Sequence, residues 1–390
     1  MDTHKELRQA RALWTLLVDP ADEVAVSIIA QLGVLEALER LGRLAAAKAP
    51  LDEDTIRQAF APVELPISVV RIEGWVMRLR DANLQMDLDW LNHLGGWVLI
   101  PEDPWWPQAL NHLDLPPVAL WVLGRAQVLE QAAASGSAAL VGARAATRYG
   151  VSQASGMAYE LDQQGCYVIS GGAYGIDAAA HRGSLCANGL TLSVQAGGLG
   201  NLYPAMNAAL FTQILEAGGM IISEQPCSAR PAKRMFLTRN RLVAALADVT
   251  VVVEAGMRSG AMSTANHAIE QGKTVAAVPG PVTSEMSAGC HELIRDGAAL
   301  VTCAAEVLEL MRPISGVEPV QESPADASFF AGLSPEAART LDSLPLHSWS
   351  SVEQIARQAG LNIETVRKEL GLLELSGIAL SRQGRFRRAA

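Results

Sequence analysis

The segment YVISGGAYG, residues 167–175, runs from a short apolar strand pattern directly into a turn that contains three glycines. Six more short apolar runs lie between residues 138 and 302, and segments of helical character separate them: AALVGAR (138–144), TLSVQAGG (191–198), MIISE (220–224), VTVVVEAG (249–256), TVAAVPG (274–280) and AALV (298–301). Nearly continuous apolar strands that alternate with helices are typical of a parallel sheet covered on both faces. The pattern therefore predicts an α/β fold with a doubly wound, mostly parallel sheet.

The regions on either side of these strands have a different character. Residues 1–90 carry apolar positions at three- and four-residue spacing, which predicts a helical domain, and residues 91–311 contain the sheet. Residues 312–333 are rich in Pro, Ser and Glu and are interpreted as a linker. In residues 334–390 a helix, a turn, a second helix and a hairpin around a glycine predict a small winged-helix domain.

Composition limits the kind of protein. The chain has 390 residues, a formal net charge of −10 and five cysteines without metal-ligand spacing. No apolar run reaches the roughly 18 residues of a membrane span, and the N-terminus lacks the apolar core of a signal peptide. We expect a reduced, cytoplasmic protein without a metal or a cofactor.

Glycines follow most of the predicted strands, at the edge of the sheet where doubly wound proteins bind ligands. Glycine lets a backbone come close to a phosphate, although tight α/β turns also use glycine. Arg144 follows the first of these strands and could bind a phosphate with its planar guanidinium, or simply lie on the surface. Ser170 precedes Gly171 at the end of the second strand, where its hydroxyl could cap the next helix or donate to a phosphate.

The segment KRMFLTRNR, residues 233–241, is basic although the whole chain is acidic. No Asp or Glu occurs between residues 225 and 247. The segment follows the strand MIISE and precedes the helical LVAALA, so we expect it to bring Lys233 and Arg239 to the same edge as Arg144. Phe236 could stack on a nucleobase there or anchor the segment in the core. Positive charge beside an aromatic ring is typical of proteins that hold single strands without reading sequence.

Other polar groups favour structural roles. Asp177 and His181 could form an acid–base pair, but we expect Asp177 to cap its helix and His181 to pack against a neighbouring turn. Glu254 is expected to orient Arg or Asn side chains. SGGAYG does not match GxGxxG, and HAIEQGKT (267–274) lacks the first glycine of a P-loop, so we expect no ATP hydrolysis.

Several motifs together resemble one family, the bacterial DNA-processing proteins DprA or Smf. They are LVGARAATRYG (140–150), SGGAYGIDAAAHRGSL (170–185), GGLGNLYP (197–204), SEQPCSARPAKRMFLTRNRLVAALA (223–247), VVEAGMRSGAMSTANHAIEQGKTVAAVPG (252–280) and SAGCHELIRDGAALV (287–301). The resemblance extends in order over about 200 residues, and it is specific. Leu237 and Met262 depart from the family pattern without removing a charge or a donor, and Ala146 and Thr147 stand where Pro and Ser are common.

This resemblance implies an extended Rossmann-like fold, a SAM-like helical domain at the N-terminus and, in many members, a winged helix at the C-terminus. It implies binding of single-stranded DNA and its delivery to RecA during natural transformation and homologous recombination, without catalysis. The DNA contacts carried over onto this chain are Arg144, Ser170, Gly171, Lys233, Phe236, Arg239, Asn240 and Arg241. The resemblance also implies a homodimer formed through the segment around His291 and Ile294.

Two other functions stay open. The fold is also similar to that of phosphoribohydrolases, although EAGMRSGAMSTANHAIE lacks their paired glycines and catalytic Glu. A transcription regulator could use the winged helix, but that helix offers little for base readout. We expect the winged helix to contact duplex DNA weakly or to bind a protein.

Overall fold

The structure is a computed structural model that describes residues 2–47, 50–63, 68–311, 334–345, 349–375, 378–382 and 384–388. The chain forms two compact units, Met1–Pro313 and Ile314–Ala390. The predicted linker, 312–333, lies outside the described residues.

The first unit contains the elements of the predicted sheet. Its strands are β1 (Trp97–Leu99), β2 (Leu120–Leu123), β3 (Ser137–Gly142), β4 (Tyr167–Ser170), β5 (Thr191–Gln195), β6 (Met220–Ser223), β7 (Val249–Glu254), β8 (Thr274–Ala277) and β9 (Ala299–Leu300). The helices before the sheet are α1 (Asp2–Leu17), α2 (Glu23–Leu32), α3 (Val34–Ala46), α4 (Glu53–Phe60), α5 (Val69–Asp81) and α6 (Leu84–His93). The later helices are α7 (Gln127–Ser135), α8 (Arg148–Gln163), α9 (Ile176–Cys186), α10 (Ala208–Glu216), α11 (Lys233–Leu246), α12 (Gly260–Glu270), α13 (Ala288–Arg295) and α14 (Ala304–Met311).

The strands form one sheet in the order β1-β2-β6-β5-β4-β3-β7-β8-β9. From β6 to β9 every neighbouring pair is parallel, and β2 joins β6 in the antiparallel direction. All seven predicted strands occur, so the prediction of a doubly wound, mostly parallel Rossmann-like sheet is confirmed. The antiparallel pair β1–β2 extends the sheet at one edge.

Helices cover both faces of the sheet because side chains alternate along each strand. In β3, Ala139 and Val141 belong to one apolar core together with residues of α11, α12 and α13. Ala138 and Leu140 belong to the opposite core, which contains residues of α8, α9 and α14. The central strands are therefore buried on both faces, and their carboxyl ends meet at one edge.

Helices α1 to α5 have a core of their own, in which Trp14 and Trp75 meet edge to face at 5.8 Å between ring centroids, whereas Leu91 of α6 belongs to a core shared with the sheet. They also contact the sheet. Asp87 of α6 is 1% exposed and accepts hydrogen bonds from the backbone N–H of Ser228 (2.7 Å) and from its hydroxyl (3.1 Å). The helices thus hold the loop that precedes α11. Their assignment as a SAM-like domain stays a prediction.

The second unit contains α15 (Pro335–Asp342), α16 (Val352–Ala359) and α17 (Ile363–Leu375). A small antiparallel sheet has the order β10-β12-β11, with β10 (Ser350–Ser351), β11 (Ala379–Arg382) and β12 (Arg385–Arg388). Helix α16 begins with a capping box between Ser351 and Gln354 and ends at Gly360, whose φ of 61° is left-handed. The elements follow in the predicted order, and their assignment as a winged helix stays a prediction.

In the ranges given above, no helix is long and apolar enough to cross a membrane. The same ranges contain no group of three or more His, Cys, Asp or Glu placed to hold a metal ion.

Asp162, near the end of α8, should make stability depend on pH. Burial raises the pKa of its carboxyl from 3.8 to about 7. Folding therefore takes up a proton between these two values, and the contribution of Asp162 to stability falls as the pH rises through this window. Asp162→Asn is expected to raise the free energy of unfolding at pH 8 and to change it little at pH 4, which urea denaturation at both pH values measures. An equal effect at both would contradict this assignment.

Candidate nucleic-acid interface

A cleft of about 880 Å³ opens where β3 and β7 end and α11 and α12 begin. Its lining comes from six places: the end of β3 with the turn after it, the turn into α9, the segment before α10, α11 with Pro231 before it, the segment from β7 into α12, and Met286 before α13. The charged and aromatic residues in this lining are Arg144, Asp177, Tyr203, Lys233, Phe236, Arg239 and Arg258. Among the described lining residues, four cations thus face one carboxylate.

Residues 233–241 are themselves part of a helix, whereas the sequence analysis expected them to precede one. Helix α11 begins at Lys233, directly after Pro231 and Ala232. Lys, Arg, Met and Leu are good helix formers, and one buried face runs through Met235, which explains why the helix starts this early. Helical spacing then places Lys233, Phe236 and Asn240 on the cleft.

Phe236 lies in the wall of the cleft, neither in the core nor free in solvent. The guanidinium of Arg144 lies 5.0 Å from the centroid of its ring, which is a cation–π contact. Tyr203 packs edge to face against the same ring at 5.4 Å between centroids. Phe236 is partly buried, whereas Arg144 and Tyr203 are exposed, so these three side chains form one aromatic and cationic surface.

Arg239 lines the cleft and is only 7% exposed. Its Nη1 donates to the backbone carbonyl of Val194 at 2.9 Å, and burial lowers the pKa of its guanidinium to about 10. Asp177 accepts from the N–H groups of Gly171 (3.2 Å) and Ala173 (3.3 Å), and burial raises the pKa of this carboxyl. Asp177 therefore holds the turn before α9 instead of acting as its N-cap, a position that Gly175 occupies.

Gly171 leaves space for the guanidinium of Arg239. A Cβ built at Gly171 would lie 1.7 Å from Nη1 of Arg239. The glycine that the family resemblance identifies as a DNA contact thus provides the space that Arg239 fills in this structure.

The structure does not bring Ser170 and Arg241 to the lining of the cleft. Ser170 is fully buried, and its hydroxyl donates to the carbonyl of Leu140 at 2.7 Å. Arg241 is 7% exposed and donates from Nη2 to both carboxylate oxygens of Glu224, at 2.7 and 2.8 Å. Asn240 does line the cleft, but its side chain also has an internal partner: its Nδ2 donates to the carbonyl of Gly260 at 3.1 Å.

Arg258 and Tyr203 also line the cleft, although the sequence alone did not identify them as candidates. Arg258 follows Gly256 at the end of β7 with the same spacing by which Arg144 follows Gly142 at the end of β3. That repeated Gly-x-Arg pattern could have identified it. Tyr203 lies in the motif GGLGNLYP, far along the chain from Phe236, and only the tertiary structure places their rings in contact.

The remaining predicted residues have internal contacts. His181 is buried and its Nδ1 lies 2.7 Å from the hydroxyl of Thr191, while burial lowers its pKa to about 3, so the ring is neutral. Glu254 accepts from the backbone N–H of Thr147 at 2.9 Å and from its hydroxyl at 2.6 Å, and so orients the start of α8 rather than an Arg or Asn side chain.

The segment expected to form the dimer lies at the edge of the sheet. His291, on α13, has its Nε2 3.0 Å from the carbonyl of Gly280 and is partly exposed. Ile294 is also partly exposed and packs against the core, and β9 next to it is the outermost strand. A second copy of the chain at this edge stays a prediction.

The chain is similar to known proteins over most of its length. The family model described as DNA recombination-mediator protein A matches residues 97–312, more than half of the chain. A putative DNA processing protein DprA from Mycobacterium tuberculosis is 42% identical, over 77% of this chain and 79% of that protein. The X-ray structure of DNA processing protein A from Streptococcus pneumoniae superimposes with a TM-score of 0.57 at 28% identity, over 74% of this chain and 95% of that chain.

A second solved structure concerns DNA processing protein A from Helicobacter pylori, which is described as having a unique single-stranded DNA binding mode. It superimposes with a TM-score of 0.50 at 30% identity, over 56% of this chain and 95% of that chain. The match of the family model, together with a relative at 42% identity over more than three quarters of both proteins, is decisive. The chain belongs to the family of DNA recombination-mediator protein A, the DprA or Smf proteins.

Proposed function

We propose that the chain binds single-stranded DNA in the cleft, without reading its sequence, and passes the strand to RecA in the cytoplasm during transformation and recombination. The observation that carries the proposal is the lining of the cleft, where four cations and two aromatic rings accompany a single, buried carboxylate. Such a groove attracts a phosphate backbone and offers rings for stacking of the bases. The single-stranded DNA binding described for the Helicobacter pylori protein supports this proposal.

The net charge of −10 is compatible with this role. Charges more than about 10 Å apart are largely screened at moderate salt, so a local positive cleft acts independently of the acidic remainder. The acidic remainder opposes coating by DNA at other surfaces, which favours one bound path through the cleft.

A mobility-shift comparison tests the proposal directly. A single-stranded oligonucleotide should be retarded at a protein concentration at which the duplex of the same length stays free. When RecA is added, the single-strand complex should give a still slower species that contains both proteins. Equal affinity for the two DNA forms would contradict the single-strand proposal, and failure to form the slower species would contradict the RecA step.

Phe236→Leu isolates the stacking contribution. Leucine keeps an apolar side chain in the wall of the cleft but removes the aromatic face. The affinity for oligothymidylate is expected to fall by about 1–3 kcal/mol, while the slope of log K against log salt stays unchanged because no charge is lost. Fluorescence anisotropy across a salt series measures both quantities, and an unchanged affinity would mean that the ring only supports Arg144.

We propose that the cleft binds without catalysis. Asp177 already accepts two backbone hydrogen bonds, and Glu254 is 2% exposed and bonded to Thr147. Neither is therefore placed as a free general base. Incubation with AMP tests this, since release of adenine would favour the phosphoribohydrolase alternative.

The second unit is proposed to have an auxiliary role, either weak contact with duplex DNA or binding of a protein. Arg367 and Lys368 are exposed on α17. Arg385 and Arg387 belong to β12, and the guanidinium of Arg387 lies 5.1 Å from the centroid of the Trp349 ring. Deletion of residues 334–390 should leave single-strand affinity nearly intact. A regulator that depended on this unit would lose all DNA binding.

A homodimer is proposed through the edge of the sheet that carries His291 and Ile294. Ile294→Asp places a charge among partly exposed apolar groups and should convert dimers to monomers. Sedimentation velocity of both proteins tests this, and a wild-type chain that is monomeric at micromolar concentration would contradict it.

A further inference from the structure

Arg234 borders the cleft without lining it. This residue lies in the first turn of α11, and its side chain is 67% exposed. Lys233, next to it in the chain, and Leu237, three residues further along the helix, both line the cleft. Residues three apart on a helix are neighbours on its surface, so Arg234 lies directly beside the lining. A strand that leaves the cleft across the start of α11 would pass this guanidinium.

A carboxylate from the N-terminal helices pairs with Arg234. Nη2 of Arg234 lies 2.7 Å from Oδ2 of Asp19, which belongs to the connection 18–22 between α1 and α2. The side chain of Asp19 is 37% exposed, so the pair is open to solvent. No Asp or Glu occurs between residues 225 and 247, and the tertiary structure therefore supplies the negative charge that the basic segment lacks.

The connection 18–22 is fixed at two points close to Asp19. Asp22 caps α2, because its Oδ1 accepts two backbone hydrogen bonds from the first turn, at 3.1 and 3.2 Å. The backbone of Ala21 forms a hydrogen bond with the carboxylate of Glu224, which directly follows β6. These contacts hold the main chain after Asp19 and keep its carboxylate next to Arg234.

A phosphate can displace Asp19 from Arg234. Exposed ion pairs are weak, because water solvates both charges and because pairing restricts two flexible side chains. A guanidinium binds phosphate with the same planar geometry with which it binds a carboxylate. Neutralisation of a phosphate on a strand also releases condensed counterions, which favours the complex with DNA.

We propose that Arg234 binds a phosphodiester of the bound strand outside the cleft, and that Asp19 competes with this phosphate for the guanidinium. The inference rests on the single-strand function proposed above. It extends the path of the strand beyond Lys233, onto the adjoining surface of α11. The N-terminal helices then lower the affinity for DNA, because the strand has to replace a carboxylate that these helices hold in place.

A double-mutant cycle on Asp19 and Arg234 tests the competition. Arg234→Ala removes one phosphate contact, so the affinity for oligothymidylate should fall about fivefold at 0.1 M salt and the slope of log K against log salt by about 0.7. Asp19→Asn frees the guanidinium and should raise the affinity about two- to fivefold. In the Arg234→Ala background, Asp19→Asn should raise it by a smaller factor. Fluorescence anisotropy of the full-length variants measures all of these affinities.

Asp22→Asn is the matched control. It removes the same charge from the same connection, and Asn caps a helix as well as Asp does, so α2 should stay intact. Asp22 lies 3.5 Å from Nη1 of Arg71 on α5 and not beside α11, so this variant should raise the affinity by less than Asp19→Asn does. Equal gains from the two variants would overturn the competition, as would an equal gain from Asp19→Asn with and without Arg234.

The same measurements separate this inference from the proposed function. If the wild type binds oligothymidylate and Arg234→Ala keeps both its affinity and its salt slope, the contact outside the cleft is wrong and the single-strand function stands. If the wild type does not bind oligothymidylate, the single-strand function is wrong and this inference fails with it.

Discussion

Replacing Arg144, Lys233 and Arg258 together by alanine is expected to weaken binding of single-stranded DNA by about two orders of magnitude at 0.1 M salt. Each phosphate contact with a single strand contributes about 0.7 to the slope of log K against log salt. Three contacts therefore contribute a slope of about 2, which corresponds to a factor of about 100 between 0.1 M and 1 M salt. All three side chains line the cleft and are exposed, so their removal should not disturb the core.

The matched control removes three cations elsewhere on the first unit. Arg43, Arg125 and Arg182 are exposed and do not line the cleft. Their replacement by alanine changes the net charge by the same amount, so an effect of overall charge would appear in both triple variants. The control should keep the wild-type affinity and salt slope in fluorescence anisotropy. If the cleft variant also keeps them, the cleft is not the DNA site.

Glu224→Ala is expected to have the largest effect on stability. Glu224 and Arg241 form a buried ion pair, with side chains 9% and 8% exposed and an Nη2–Oε1 distance of 2.7 Å. Removal of the carboxylate leaves a guanidinium buried without a counter-ion, because arginine does not lose its proton at neutral pH. The free energy of unfolding should fall by about 3–5 kcal/mol, as measured by urea denaturation.

Arg241→Met should lower the free energy of unfolding by less than Glu224→Ala does, and the comparison of these two variants is the control. Burial raises the pKa of Glu224, so this carboxyl can take up a proton once the arginine is gone. The double variant Glu224→Leu/Arg241→Met should recover much of the loss, because an apolar pair of similar size needs no desolvated charge. If Arg241→Met abolishes DNA binding in protein that is still folded, Arg241 contacts DNA after all.

The fold was accessible from sequence because the information is local. Runs such as VTVVVEAG combine β-branched residues with a closing glycine, and each gave a strand where it was expected. The start of α11 was harder to predict from the sequence. KRMFLTRNR has no side-chain cap at its N-terminus, and its charge pattern resembles a binding loop as much as a helix.

The candidate site was accessible only in part, as Lys233 and Arg241 show. Both are cations in the same short segment, and the family resemblance treats them alike. In the structure Lys233 lines the cleft, whereas Arg241, two turns further along α11, faces Glu224 at the end of β6. Nothing in the sequence indicates that Arg241, rather than Lys233, pairs with Glu224, which lies 17 residues before Arg241 in the chain.

The sequence by itself determined the class of fold, the edge of the sheet that carries the glycines and the excess of positive charge near that edge. These follow from periodicity and composition, which act over a few neighbouring residues. Only the tertiary structure decided which charges face the cleft, which are paired inside, and that Arg144, Tyr203 and Phe236 form one surface. Such contacts join residues that lie far apart in the chain, and they arise only when strands and helices pack, because packing alone fixes which side of each element is covered.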